Sequence, residues 1–464
     1  MALIRPIITI SLAILIAAAS PSLFAAEVTE LASAFDEDDP FDFHFRVSYQ
    51  YISRSGAIKR ELAGYSAETV QTVKELQFDW TEQRIALRAE FGVWKDLQIH
   101  VELPIVLAQS RNLNFGQAAD GDCGNPRETN CVTRNNSTLV RDGFFDGSQM
   151  SDGQISVASA GGPLGGYRLP DRAGLDQLHL GITWAPLSQK RDSTKPTWTL
   201  GFEARVAVGE GMEYDPLNPD GNTGVGRGLH QFQFSTAISR RYRYVDPWAK
   251  FYYLLPLATS TSLYERTHFP GTGQERSGPR HRGGVEMGLE IIPWDEPADN
   301  NKVSIAIQGK IETIFEGRGY SPMWEIFANN AKMVGPCSPT STSTTTAIQP
   351  WDNGSYCQSV NDTIPFPGIS RIENHLVFST TVAFNLQLSR FFKAQVGATF
   401  SHEQEHLITN GDAGRDVNLD GLLDPESTAE LNPMYRPMVD VTGRRLKVSE
   451  SFNFRVAVSL MALF

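Results

Sequence analysis

A short motif in the last quarter of the chain has the oxygen spacing of a calcium loop. It reads D-V-N-L-D-G-L-L-D, with oxygen-bearing side chains at positions 1, 3, 5 and 9 and a glycine, which permits a sharp turn, at position 6. Calcium loops of this type also use a main-chain carbonyl at position 7. The expected ligands are Asp416, Asn418, Asp420, Leu422 and Asp424.

A complete EF-hand is excluded, because position 12 is Ser427 instead of glutamate; Glu426 beside it is a substitute ligand. The alternative is a solvated acidic turn, for which Asp, Asn and Gly are favoured in any case. A Ca²⁺ ion here would order the loop that carries it.

A second motif, His402-Glu403-Gln404-Glu405-His406, matches the zinc-protease pattern H-E-x-x-H. That chemistry needs both histidines on one face of a helix, one turn apart. Here the preceding residues alternate with period two, which predicts a strand. His402 and His406 would then share a strand face about 13 Å apart, too far to hold one ion. We therefore expect no metalloprotease.

No other stretch has the arrangement of a catalytic site. The outer-membrane phospholipase uses a histidine followed closely by serine and asparagine, and the nearest stretch, 374–379, lacks that spacing. The chain has no activated-nucleophile arrangement and no phosphate-binding glycine loop. We therefore expect a protein that is not an enzyme, with a lipid-modifying enzyme as the least favoured alternative.

The element that positions these motifs is clearest in the last segment, S-E-S-F-N-F-R-V-A-V-S-L-M-A-L-F. Its apolar residues alternate with polar ones from Phe452 to Phe464, so one face contacts an apolar medium and the other a polar one. The terminal aromatic at Phe464 resembles the signal strand that the outer-membrane barrel assembly machinery recognises. This pattern predicts a transmembrane β-strand.

Eleven earlier segments repeat the alternation, which makes about twelve strands. Their outward apolar positions are Phe43/Phe45/Val47/Tyr49, Ile85/Leu87/Ala89/Phe91, Ile99/Val101/Leu103/Ile105, Leu178/Leu180/Ile182/Trp184, Leu200/Phe202/Val206, Phe232/Phe234/Ile238, Phe251/Tyr253/Leu255, Val285/Met287/Leu289, Ile305/Ile307/Ile311, Phe378/Val382/Phe384 and Phe392/Val396/Phe400.

The connections between these segments alternate in length. Short ones fall at 94–96, 187–196, 245–247, 295–301 and 389–390, and long ones at 53–72, 110–174, 209–227, 260–282, 318–371 and 404–446. An up-and-down antiparallel barrel with tight periplasmic turns and long extracellular loops has this alternation. An even strand number leaves both termini in the periplasm.

Five tryptophans lie beside the short turns, where an interfacial aromatic girdle is expected: Trp94, Trp184, Trp198, Trp248 and Trp294. Four cysteines lie in the long connections. An even cysteine count in an exported chain favours two disulfides. Sequence-local pairing, Cys123 with Cys131 and Cys337 with Cys357, is the simplest of three connectivities.

The first 26 residues have the pattern of a secretory leader. Arg5 supplies the positive charge, residues 6–19 the apolar core, and residues 23–26 a small-residue cleavage site. Residues 27–39 would then form an acidic periplasmic segment, and residues 40–464 the barrel. The net charge of −12 argues against a nucleic-acid partner.

Successive residues of a strand face opposite sides of the sheet, so the residues between the outward apolar positions should face the barrel interior. The expected lumen-lining residues are Arg46, Arg88, Glu90, His100, Glu102, Glu203, Arg205, Lys250, Glu286, Glu290, Lys310, Glu312, Lys393 and Arg455. Opposed charges in a lumen have two interpretations: a transverse field across a narrow aqueous pore, or an ion-pair network that fills the interior. Mixed signs are needed in both, because an unpaired buried charge is costly.

Two stretches resemble a known family. Residues 89–99, A-E-F-G-V-W-K-D-L-Q-I, ending in Leu103-Pro104, and residues 176–184, D-Q-L-H-L-G-I-T-W, are similar to the outer-membrane family linked to meta-pathway phenol degradation. Residues 206–211, V-A-V-G-E-G, depart from the apolar-Pro-Thr-Gly run that the family carries at this point. The resemblance implies an outer-membrane channel for small, often aromatic or hydrophobic compounds.

Together these features predict a passive channel for uptake or efflux of small organic solutes in the bacterial outer membrane. The expected partners are the solute, membrane lipid and lipopolysaccharide, and the barrel assembly machinery. The alternative is a closed structural or surface-binding barrel whose disulfide-stapled, calcium-ordered loops carry the function.

Overall fold

The computed structural model describes residues 26–32, 42–62, 71–115, 137–144, 169–215, 218–275, 277–296, 299–330, 333, 335–336, 363–364, 366–424, 427 and 429–464. Twelve long antiparallel strands dominate it. They are β1 Phe43–Leu62, β2 Gln71–Trp94, β3 Leu97–Phe115, β4 Gln177–Leu187, β5 Thr197–Ala207, β6 Leu229–Ser239, β7 Val245–Ala258, β8 Arg282–Glu296, β9 Asn301–Ile314, β10 His375–Leu388, β11 Phe392–Glu403 and β12 Leu446–Leu463.

Each strand pairs with its neighbours in sequence, and the first pairs with the last. At this seam Phe45 is opposite Ala462, and the Phe43 and Phe464 backbones exchange hydrogen bonds of 3.0 and 2.8 Å. The closed sheet has no free edge in the membrane, which a spanning β-structure requires. The predicted twelve-strand up-and-down barrel is confirmed.

Short strands and helical turns lie at the end of the barrel that carries the long connections. The additional strands are Arg172–Leu175, Gly317–Gly319, Gly335–Pro336, Thr363–Ile364, Ser370–Ile372 and His406–Leu407; the helical turns are Thr138–Arg141, Pro219–Gly221, Leu263–Arg266, Trp324–Phe327 and Pro437–Asp440. In the part of the chain that the structure describes, no helix is long and apolar enough to cross a membrane.

The outer face of the barrel is an apolar belt. Phe45, Val47 and Tyr49 on β1 are exposed, as are Phe251 and Tyr253 on β7 and the corresponding residues of the other strands. Alternate residues, such as Glu90 on β2, are buried in the interior. The period-two pattern of the sequence therefore corresponds to a lipid face and a lumen face.

Strands β1 to β3 extend further than the sequence predicts. The connection expected at 53–72 is largely strand, because β1 continues to Leu62 and β2 begins at Gln71. Beyond the apolar belt the polarity reverses: Ile58 and Leu76 are buried inside, while Lys59 and Lys74 pair with Glu450 outside. Water surrounds this outer extension, so the apolar side of each strand turns inward and breaks the predicted pattern.

These inward apolar residues form the core of an outer cap. Ile58, Phe78 and Phe115 from the strands pack with Phe327 and Val439 from the connecting segments, all nearly inaccessible to solvent. The cap at the extracellular end of the barrel therefore has a hydrophobic core of its own.

Four of the five tryptophans expected in the girdle are exposed beside the short turns: Trp94, Trp184, Trp198 and Trp294. For Trp248 the prediction is wrong. It lies on β7 with the opposite parity to Phe251, so it points inward and is only 8% exposed. Its ring occupies the space above Gly288, where a Cβ would lie 2.6 Å from Trp248 Cζ2.

Candidate functional site

Three cavities lie in the lumen among the described residues. One of about 580 Å³ lies towards the extracellular end, and two of about 290 Å³ each lie towards the periplasmic end. Tyr320, Ser321, Pro322 and Trp324 from the cap line the first, and Glu27 and Val28 line both of the others. The interior is therefore divided into separate cavities by chain segments that enter from both ends of the barrel.

The structure places thirteen of the fourteen predicted lumen residues on the walls of these cavities. The outer cavity has Arg205, Lys250, Glu286, Lys310, Glu312 and Arg455; the inner two have Arg46, Arg88, Glu90, His100, Glu203, Glu290 and Lys393. Glu102 completes the set as the partner of Arg88, at 3.1 Å.

The inner part of the wall is a nearly neutral ion-pair network. Arg88 bridges Glu90 at 2.6 Å and Glu102 on the neighbouring strand at 3.1 Å. Glu203 likewise contacts Arg205 at 2.7 Å and His100 at 3.0 Å. Buried charges held this way stiffen the wall and attract no further ion.

The outer cavity has a different charge balance. Eight arginine and lysine side chains line it against four carboxylates. Among the described residues, Arg282 and Arg455 have no carboxylate within 4.0 Å, whereas Lys310 contacts Glu312 at 3.0 Å and Arg84 contacts Glu82 at 2.6 Å. In a protein with a net charge of −12, this cavity is a local positive site.

Aromatic rings share the wall with these cations. Lys310 Nζ lies 5.0 Å from the centre of the Tyr252 ring, and Arg111 lies 6.0 Å from that of Trp80. The Tyr252 hydroxyl also donates to Glu312. A solute in this cavity therefore meets both cationic groups and ring surfaces, which together suit a small organic anion.

The outer constriction is the inward-folded turn Trp324–Phe327. The Trp324 ring lies between Arg111 and Arg172, at 5.9 and 5.0 Å, and the fully buried Glu325 pairs with both arginines. Removing one partner of such a buried ion pair leaves a charge uncompensated, so the cluster holds the turn inside the barrel.

The inner constriction is formed by residues 26–32. Lys393 Nζ contacts Glu30 and Glu27 at 2.5 and 3.3 Å, and the Ala32 N–H donates to Gln98 at 2.8 Å. The sequence places this segment before the barrel, whereas the structure places it within the periplasmic mouth.

Comparisons with known proteins find similarity in solved structures alone. No family model and no curated protein matches the chain. An outer membrane channel from Pseudomonas putida F1 aligns at 10% identity over 96% of this chain and 100% of its own, with a TM-score of 0.38. The outer membrane protease OmpT from Escherichia coli aligns at 10% over 91% and 97% (TM-score 0.28), and a mutant of the monoaromatic hydrocarbon channel TodX at 6% over 91% and 90% (TM-score 0.31). At this level of similarity, function has to be inferred from the lumen itself.

The H-E-x-x-H motif does not form a helix. β11 ends at Glu403, and after two residues His406–Leu407 pairs with β12 instead. His402 is exposed and His406 is buried, so the two histidines do not share a face as the sequence predicted, because the chain breaks its alternation at 404–405.

The structure instead brings His375, Glu403 and His406 together, with ligand atoms within 4.8 Å of one another. The two imidazole rings are stacked at 3.5 Å with an interplanar angle of 16°. Both Nε2 atoms face Glu403 Oε1, at 2.8 Å from His375 and 3.8 Å from His406. Arg54 contacts Glu403 at 2.5 Å and adds a positive charge. Glu403 thus has a guanidinium and two imidazole rings as its neighbours.

The predicted calcium loop folds into a tight turn stabilised by its own carboxylates. Asp416 accepts from the backbone N–H groups of Leu419 and Gly421 at 2.6 and 2.8 Å, and Asp420 accepts from Leu422 at 2.8 Å. Gly421 has a φ of +83°, the left-handed conformation that glycine permits. Calcium at this loop stays a prediction.

The four cysteines, Cys123, Cys131, Cys337 and Cys357, lie outside the described residues, as does Glu426. Phe464, the predicted assembly signal, lies at the seam, where its ring stacks on that of Phe43 at 5.8 Å.

Proposed function

We propose that this protein is a passive outer-membrane channel for small organic solutes and that it prefers anions. The observation that carries the proposal is the outer cavity, where eight cationic side chains oppose four carboxylates within a closed barrel. A volume of about 580 Å³ is in the range of sites that hold a small organic molecule.

The wall also explains why a solute would be organic. Tyr252 and Trp80 offer ring surfaces beside Lys310 and Arg111, so an aromatic carboxylate could stack while its charge meets Arg282 or Arg455. A low-dielectric wall focuses the field of these unpaired cations on the cavity. Solute transfer needs no catalytic residue, and we propose no enzymatic activity.

The location follows from the outer surface of the barrel. The apolar belt with exposed tryptophans at the turn end suits a bilayer, so we propose membrane lipid and lipopolysaccharide as surroundings and the barrel assembly machinery as the insertion partner. The direction of transport, uptake or efflux, is set by the solute gradient.

The test uses purified protein in planar bilayers and in liposomes. Under a potassium chloride gradient, the reversal potential should have the sign of an anion-selective pore. Relative to protein-free liposomes, the protein should increase the uptake of benzoate more than that of benzyl alcohol, its neutral relative, and more than that of benzylammonium. Protein-free liposomes provide the permeability baseline.

Equal rates for benzoate and benzylammonium would exclude the anion preference. Solute-tight liposomes would exclude the channel itself if they are found with the intact chain and with a variant that lacks residues 26–32 and has a glycine–serine linker in place of residues 321–330. That result would favour a closed barrel whose outer loops bind a partner. Hydrolysis of added phospholipid or lipopolysaccharide would contradict the proposal that the protein is not an enzyme.

A further inference from the structure

The periplasmic mouth contains two carboxylates on adjacent strands that are almost fully buried. Asp246 on β7 is directly opposite Glu290 on β8, and their exposed fractions are 0% and 1%. Like charges directly opposite each other in a sheet repel. A buried pair of this kind needs positive partners.

The described side chains compensate one of the two. Lys302 contacts Glu290 at 2.8 Å, while Arg241, the other nearby cation, pairs with Asp295. No donor among the described residues reaches either Asp246 carboxylate oxygen with hydrogen-bond geometry. Asp246 is therefore a nine-tenths buried acid that still lacks a partner.

The segment at residues 26–32 brings two backbone nitrogens to this pair. Glu27 N lies 3.2 Å from Glu290 Oε2, and the Ala26 N–H lies near Asp246 without reaching hydrogen-bond geometry. The rest of the segment is fixed by side-chain contacts, including Thr29 Oγ1 with Ser239 Oγ at 2.7 Å. The geometry thus aims the start of the segment at the acids.

These are also the nitrogens that leader removal would change. The small-residue cleavage site covers residues 23–26, so a cut falls before Ala26 or before Glu27. Hydrolysis breaks the peptide C–N bond with water: the leader keeps the new carboxylate and the mature chain gains an amine. With an ordinary pKa of about 7.7–8.0, that amine is mostly protonated at neutral pH and offers three N–H donors.

We propose that Asp246 and Glu290 form the binding site for the α-ammonium group that cleavage creates on this same chain. With either cut, the new positive charge arises at a nitrogen already beside one of the two carboxylates. It supplies a positive partner to this pair of opposed acids, and it fixes the start of the mature chain across the periplasmic mouth. The precursor has a neutral amide there, so the inner constriction is locked only after processing.

The test measures the reactivity of the amino terminus and does not depend on transport. Protein purified from outer membranes is first analysed by intact mass and N-terminal sequencing. It is then treated with an acetylating N-hydroxysuccinimide ester, folded and in urea, and modification of the α-amine is followed by peptide mass spectrometry. We expect the folded amine to react about ten-fold more slowly, as a charge-assisted hydrogen bond would require.

Asp246→Asn should restore most of the reactivity, while Asp192→Asn, in an exposed periplasmic turn, should not change it. A second variant tests the proposal without changing any side chain of the barrel. It carries two additional residues, Gly-Ser, before the mature terminus, which move the ammonium group away from the acids. Its heat-modifiable migration on gels reports folding, and hydrogen exchange of residues 26–32 should increase.

Three results would overturn the proposal. The first is a mature terminus other than Ala26 or Glu27. The second is a folded amine that reacts as fast as the unfolded one. The third is an α-amine that stays protected from acetylation in Asp246→Asn. Protection in the Gly-Ser variant, together with unchanged hydrogen exchange of residues 26–32, would count equally against the proposal.

Discussion

Arg455 faces the outer cavity without a carboxylate partner among the described residues, so its charge is available to a passing solute. A unit charge about 7 Å from the solute path in water contributes about 0.6 kcal/mol, or about three-fold in anion occupancy. The occupancy of a cation changes by the same factor in the opposite direction, so Arg455→Gln should reduce the anion-to-cation permeability ratio by about seven-fold. The measurement is the reversal potential under a salt gradient.

The matched control is Arg390→Gln, which removes the same charge from an exposed periplasmic turn and should leave the reversal potential unchanged. Arg282→Gln should act like Arg455→Gln. If all three variants keep the same selectivity, the two unpaired arginines do not set it.

Asp440 in the outer cap gives a prediction about pH. Its carboxylate accepts from the backbone N–H groups of Gly411 and Arg436, both at 2.9 Å, but burial raises its pKa above the ordinary value of about 3.8. The folded cap therefore holds a proton that the unfolded chain releases. Its stability should be highest at acid pH and should fall as pH rises from about 4 through the folded pKa.

Asp440→Asn keeps the amide oxygen as an acceptor and removes the charge, so it should abolish this pH dependence. Hydrogen exchange of residues 406–446, corrected for intrinsic rates, measures the effect between pH 4 and 7. Asp192→Asn is the control: hydrogen bonds from Thr194 lower the Asp192 pKa to about 2, below this window. An unchanged pH profile in Asp440→Asn would show that other groups control the cap.

The alternation of inward and outward positions predicts correctly which side chains face the lumen in regular strands. It fails where the strands are irregular. Arg88 and Glu203 lie on the lumen side as expected, and Arg84 and Arg282 could have been found by the same rule. The pairs within one strand are less predictable: His100 contacts Glu203 on another strand instead of Glu102 beside it. The choice of cross-strand partner for an ion pair depends on side-chain rotamers, which the sequence does not specify.

At the scale of elements, the loop around 416–424 is the sharpest untested prediction. In the structure its carboxylates accept backbone N–H groups, an arrangement that calcium loops share with ordinary acidic turns. Calcium should lower hydrogen exchange in this loop, and a chelator should reverse the change. Asp416→Asn, which keeps an acceptor oxygen but loses the charge, should weaken binding at least ten-fold on titration calorimetry.

Asp192→Asn again serves as the control, since it removes one acidic charge far from this loop. Equal heats of calcium binding for the native chain and for Asp416→Asn would place any bound ion elsewhere. Exchange that does not respond to calcium at millimolar levels would favour the solvated turn.

Elements outside the regular strands were poorly predictable. The turn Trp324–Phe327 lies in a connection expected at 318–371, and nothing in its sequence indicates that it enters the lumen. It does so because Arg111, from the far end of β3, and Arg172 pair with Glu325 around Trp324. These three residues are far apart in sequence, so no local pattern indicates that they meet.

At the scale of the whole molecule, strand number and the alternation of loop lengths were predictable because they follow from a local period of two. The position of residues 26–32 was not, since an acidic segment before a barrel has no period of its own. It is held by charges from strands far apart in sequence, including Lys393 on β11. The local sequence pattern thus predicts the strands of the barrel wall. Ion pairs between residues far apart in sequence determine which segments lie inside the lumen.

The filled barrel has two constrictions in series, the Trp324–Phe327 turn and residues 26–32, with the outer cavity between them. Resistances in series add, so removing either constriction leaves the other limiting. Replacing residues 321–330 by a glycine–serine linker, or deleting 26–32, should raise single-channel conductance by at most about two-fold if the two are equal. The combined variant should exceed the product of the two single effects. A combined effect no larger than the bigger single one would show that one constriction alone controls the pore, and that the other segment lies beside the solute path.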